Sequence, residues 1–201
     1  MNINSQEILS FWYGAWPFDT EASKQQAKLW FSSTDETDQL IANIFKVQIE
    51  AAINGTLVVD DHLDDQLALI LLTDQFTRNI YRKTPKAFSG DQIALDVCLT
   101  LIKAGKHLTL PPPVASFACM PLQHSEDKSI QAKSISVFNA IAEHAPDAFK
   151  EAAEGYAKYA KLHEEIVSEF GRFPHRNAAL GRTNTQAEQA YLDGDGHRFG
   201  Q

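Results

Sequence analysis

The groups best suited to chemistry in this 201-residue chain are arginines and histidines gathered in three short stretches. Five of the six arginines fall in two of them: Arg78 and Arg82 in TDQFTRNIYR, then Arg172, Arg176 and Arg182 in HEEIVSEFGRFPHRNAALGR, which runs from His163 to Arg182. The lysines are scattered and end at Lys161. A guanidinium is a planar, permanently charged fork that meets a carboxylate or phosphate through parallel hydrogen bonds, whereas lysine serves a merely solvated surface. The third stretch, PLQHSED, sets His124, Ser125, Glu126 and Asp127 in a row.

Two kinds of chemistry suit these residues. One is recognition of a small anionic molecule or a peptide carboxylate, with Asp74, Arg78, Asn79, Arg82, Glu126, Arg172, Arg176 and Asn177 as ligand-binding residues. The other is a hydrolase or transferase reaction, with His124, His163 or His175 as the catalytic general base and Arg172 and Arg176 stabilising developing negative charge. A structural account competes with both. Asp74 and Arg78 are four residues apart, acid before base, the favourable order for an ion pair along a helix. The arginines can equally tie helices together through Asp74, Asp91, Glu126 or Asp127. Ser125 reads as an N-cap, with Glu126 and Asp127 complementing the dipole of the first turn. His163 lies in an apolar stripe, where a histidine more often packs than ligates. Three histidines have the donor type for a metal, but the zinc-protease pattern fails for lack of a second histidine four residues after His163. No metal and no cofactor is expected. Phosphate-cradling glycine loops, CxxC pairs and glycine-flanked serine elbows are missing from the sequence.

Helical periodicity recurs along the chain and strand alternation is nearly absent. Expected helices run from Ser5 to Trp12 and from Ala22 to Phe31, followed by one opened by a Ser33–Glu36 capping box and carrying Leu40, Ile41, Ile44, Phe45 and Ile49 on one stripe. Gly55 ends that helix. The segment from Leu63 to Arg82 is the most apolar, and Asp91 to Ala104 follows it. Pro111, Pro112 and Pro113 read as an extended connection before a short buried helix, Val114 to Gln123. Ser125 starts the next helix. Pro146 opens a long one to Phe170, with Phe149, Ala153, Tyr156, Ala160, His163, Val167 and Phe170 inward. Thr185 and Glu188 have capping-box spacing for a last short helix near Leu192. The expected organisation is one helical domain over 1–192 and a loosely held tail over 193–201.

A chain of this length buries a core without disulfides, and Cys98 and Cys119 read as reduced, buried thiols of a cytoplasmic protein. No apolar run is long enough for a membrane helix, and the start lacks the pattern of a signal peptide. The net charge of −8 disfavours nucleic acid, which needs phosphate-neutralising surface. No feature of the sequence fixes an oligomeric state.

The blocks DQFTRNIYRKTPKAF, PLQHSED and HEEIVSEFGRFPHRNAALGR, in this order, resemble the bacterial family catalogued as domain of unknown function 924. The resemblance spans nearly the whole chain. It implies an all-α fold of the compact, tetratricopeptide-repeat-like superhelical class with degenerate repeats; the succession of helices joined by short turns is itself consistent with antiparallel helix pairs. It implies no activity, substrate or cofactor. The family pattern carries proline where this chain has Thr77, and an apolar residue in place of Lys128. The fold is expected to gather the arginine and histidine stretches on one concave side. Ligand binding, catalysis and a purely structural polar network are the readings the sequence leaves open.

Overall fold

The computed structural model describes residues 1–32, 34–194 and 196–197. They form an all-α protein. Among the described residues the one departure from helices and turns is an isolated parallel bridge between Asn2 and Val58. The helices, in chain order, are α1 (Ser5–Tyr13), α2 (Thr20–Lys24), α3 (Ala27–Phe31), α4 (Asp35–Ile53), α5 (Leu63–Ile70), α6 (Thr77–Ile80), α7 (Asp91–Lys103), α8 (Pro112–His124), α9 (Lys128–His144), α10 (Lys150–Phe170) and α11 (Gln186–Asp193). The chain forms two compact units. The first is Met1–Arg82 with Lys86–Val97; the second is Lys83–Pro85 with the described residues from Cys98 onward.

In the first unit α1 packs on α5, and α4 on the segment that follows α5. Leu71–Phe76 joins α5 to α6 as a π-helical turn, so the helix expected over Leu63 to Arg82 runs on but widens midway. Phe45 and Phe76 centre the core, with ring centroids 5.0 Å apart and Phe11 edge-on to Phe45 at 5.1 Å. Gly90 presses on the π turn so closely that a Cβ added there would fall 2.2 Å from the carbonyl oxygen of Thr73. The expected helix from Ala22 to Phe31 is two short ones, α2 and α3. Ser33 lies outside the described residues; Thr34 caps α4 by accepting from the amide of Thr37.

In the second unit α8, α9 and α10 pack as successive antiparallel helices. Gln131 near the start of α9 donates to the carbonyl of Gln123 near the end of α8 (2.8 Å). Lys128, at the first turn of α9, reaches the carbonyl of Ser168 near the end of α10 (2.9 Å). Pro112 and Pro113 are the first helical turn of α8 rather than an extended connection. Proline suits that place because its missing N–H falls where a helix has no acceptor to offer. α10 ends at Gly171, whose φ of 72° is the left-handed conformation that favours glycine at a helix C-terminus. No helix among the described residues is long and apolar enough to cross a membrane.

Candidate functional site

The candidate residues of the first unit sit on and after the π turn, and their partners are internal. Arg78 donates to the carbonyl oxygen of Asp74 (2.6 Å), lies 3.1 Å from its carboxylate, and meets Asp91 through its other nitrogen at 3.0 and 3.1 Å. Asp74 is fully buried and also accepts from Gln75 at 2.5 Å. Asn79 donates to Asp38 (2.7 Å), and Arg82 grips both oxygens of the same carboxylate. Asp91 is one of the carboxylates the structural account offered as an arginine partner; Asp38 was not foreseen. Nearby, Glu50 accepts from Lys86 (2.6 Å) and from the Tyr81 hydroxyl. Those bonds, Lys86 first, hold the Glu50 carboxyl below its ordinary range, while burial and then Glu50 push the Tyr81 phenol up.

In the second unit a continuous network holds the loop between α10 and α11. Arg172 donates to both oxygens of Glu188 (2.6 and 2.8 Å) and to the carbonyl of Thr183 (2.9 Å). Glu188 also accepts from the amide of Thr185 while Thr185 accepts from Glu188, which is the capping box expected from their spacing. The Arg172 fork holds the Glu188 carboxyl down to about 2, against burial, with Thr185 and Asn177 contributing. At the other end Arg182 clasps Glu126 through both terminal nitrogens (2.7 and 2.9 Å). Burial alone would raise the Glu126 carboxyl; Arg182, the Phe173 amide and the charge of Arg176 together lower it. Ser125 is not the N-cap of α9. Asp127 is, accepting from the amides of Ser129 and Ile130, which leaves Glu126 outside the helix and turned to Arg182.

Within that frame two histidines and an arginine converge on one ring. Phe173 is fully buried. His163 packs edge-on at 5.6 Å between centroids, His175 lies tilted at 5.5 Å, and the Arg176 guanidinium lies 4.5 Å from the ring centre. His124, at the end of α8, is 6.1 Å from His163. Pro174 opens the short 3-10 turn Pro174–Arg176 that carries His175 and Arg176. His163 Nδ1 lies 2.8 Å from the carbonyl oxygen of Tyr159. A carbonyl can only accept, so Nδ1 bears the hydrogen and Nε2 of the neutral ring bears the lone pair. His163 and Arg176 are buried, while His124 and His175 are half-buried and reach solvent. Among the described residues no group of three or more His, Cys, Asp or Glu side chains stands in position to hold a metal ion.

The family model described as a bacterial protein of unknown function, DUF924, matches residues 8–196. The chain belongs to the DUF924 family. A solved structure of a protein of unknown function from Agrobacterium tumefaciens is similar to this DUF924 chain at 28% identity and a TM-score of 0.75, covering 94% of this chain and 96% of that one. No curated protein matches it.

The DUF924 fold thus brings His124, Glu126, His163, Arg172, His175, Arg176 and Asn177 together in one unit, and Asp74, Arg78, Asn79 and Arg82 together in the other. Phe173 and Asp38 were not foreseen from the sequence; Glu188 was expected only as a capping residue, Asp91 only as one of several possible arginine partners, and Arg182 lay outside the expected ligand set. An aromatic in a loop of polar residues was the signal for Phe173. Nothing local paired Asp38, Asp91 and Glu188 with their arginines, since each lies 13 to 44 positions from the arginine it meets.

Proposed function

We propose that this protein binds a small anion, a carboxylate or phosphate compound or a peptide carboxylate, on the face formed by His124, His163, His175 and Arg176. The observation that supports this reading is the convergence of His163, His175 and Arg176 on Phe173, with ring and guanidinium centres 4.5 to 5.6 Å from it, and of His124 on His163 at 6.1 Å. The half-buried His124 and His175 would meet the ligand first, and Arg176 would supply charge from beneath. Arg172, Arg182, Asn177 and Glu126 serve as the frame, because their hydrogen bonds run to Glu188, to Asn184, to one another and to backbone. The pairs of the first unit, Arg78 with Asp74 and Asp91 and Arg82 with Asp38, hold helices in the same way. A cytoplasmic setting suits thiols such as Cys98 and Cys119.

A second reading, general-base catalysis, draws on the tautomer of His163, whose Nε2 lone pair is the group a base needs. One set of samples tests both. Inorganic phosphate and citrate are titrated by calorimetry and thermal shift into wild type, His175→Ala, His124→Gln and Arg176→Lys. Binding to the native state must raise the melting temperature with ligand concentration. Wild type is expected to respond, and the variants to need about tenfold more ligand, one charge-assisted hydrogen bond's worth. A flat response in wild type, or variants that bind as wild type does, removes the proposal. Absence of p-nitrophenyl phosphate or acetate hydrolysis by wild type removes the catalytic reading.

A further inference from the structure

We propose that Glu126 and Arg182 are positioning residues of this face, a clamp on the peptide groups of Phe173 that fixes where His175 and Arg176 stand; the proposal rests on the anion-binding reading. Glu126 Oε1 accepts the backbone N–H of Phe173 at 2.8 Å. Arg182 Nη2 donates to the carbonyl of the same residue at 3.1 Å. The two side chains are themselves joined through both guanidinium ends, so donor and acceptor of one residue are held by a single ion pair. Arg182 Nε reaches onward to Asn177 Oδ1 at 2.8 Å. Phe173 and Asn177 flank the turn Pro174–Arg176, so the clamp grips the turn on both sides.

Glu126 lies two residues after His124, in the connection between α8 and α9. The clamp therefore ties the end of α8, with His124, to the turn that carries His175, far later in the sequence. Nε, Nη1 and Nη2 of Arg182 are each directed at an internal acceptor. Its effect on a ligand is thus exerted through Phe173. Arginine is required because the contacts point along different directions of one rigid fork, which a lysine ammonium cannot span.

The test compares wild type with Arg182→Lys, which keeps the charge but not the fork, and Glu126→Gln, which keeps the shape but not the charge. Amide hydrogen exchange is read at Phe173 and at Ile141 of α9, and phosphate affinity by calorimetry. The expected result is exchange at Phe173 faster by about tenfold, exchange at Ile141 within about twofold of wild type, and phosphate affinity down about tenfold. Unchanged exchange at Phe173 overturns the clamp, and so does equal acceleration at both sites, which marks general destabilisation. Unaltered phosphate affinity despite a loosened Phe173 overturns its positioning role. A wild type that does not take up phosphate sinks the anion-binding reading instead, while exchange at Phe173 still decides the clamp.

Discussion

Glu188 takes on two tasks with one carboxylate: it completes the capping box of α11 and neutralises the Arg172 fork, and it does so 1% exposed. Removing it deprives an N-cap of its reciprocal bond and takes from the partly exposed Arg172 guanidinium the carboxylate it pairs with. Glu188→Ala is expected to cost at least about 1–2 kcal/mol in urea unfolding. The comparison is Glu165→Ala, whose exposed partner Lys161 stands 3.7 Å away. That pair is worth a few tenths of a kcal/mol, about the median for exposed pairs. Equal losses in the two variants would show that Arg172 does not depend on Glu188. Only half of this arrangement was legible in advance. Thr185 and Glu188 announce themselves by spacing, whereas Arg172 had several carboxylates to choose from, and a charge carries no address.

The π turn over Leu71–Phe76 is an element that periodicity could not reveal. Leu71, Leu72, Thr73, Asp74 and Phe76 are all buried, so no solvent face marks where the helical period changes. Its wall is Gly90. Gly90→Ala must displace the backbone of Thr73, whose carbonyl also accepts from Thr77 (2.9 Å), and is expected to destabilise by about 1–3 kcal/mol. Gly155→Ala supplies the contrast. Its added Cβ meets nothing within 4 Å, and within α10 the change should stabilise by about 0.5–1 kcal/mol. Chemical denaturation of both decides: the same sign for the two would mean that Gly90 is not tightly enclosed. Glycines that end helices were readable, as Gly55 and Gly171 with their positive φ show. The boundary between α2 and α3 was not, because a break without glycine or proline leaves no mark in composition.

For the molecule as a whole, the sequence carries its helical class openly and its charge partners hardly at all. Long amphipathic runs fix α4, α9 and α10 almost on their own. The acidic partners Asp38, Asp91 and Glu188 come from elements far along the chain from Arg82, Arg78 and Arg172. The net charge of −8 coexists with arginines committed to these internal pairs. Acid should therefore undo the fold in a definite window. Glu50, Glu126 and Glu188 all have carboxyls lowered in the folded protein. A lowered folded value contributes stability that is fully present above the unfolded value and disappears as pH falls through the folded one. For Glu188 the window runs from 4.5 down to about 2. Circular dichroism during acid titration should show stability falling across that range, and Glu188→Gln should flatten the fall. An identical acid limb in that variant would contradict the assignment.

A helix that takes one extra residue into a turn acquires an angular offset, roughly 100° for everything that follows. Downstream of Phe76 that offset sets the azimuth of Arg78 and Asn79, and it is from there that they find Asp74, Asp91 and Asp38. Were Leu71–Phe76 to close into ordinary α turns with no residue removed, both side chains would swing through the same arc, with the sequence itself unchanged.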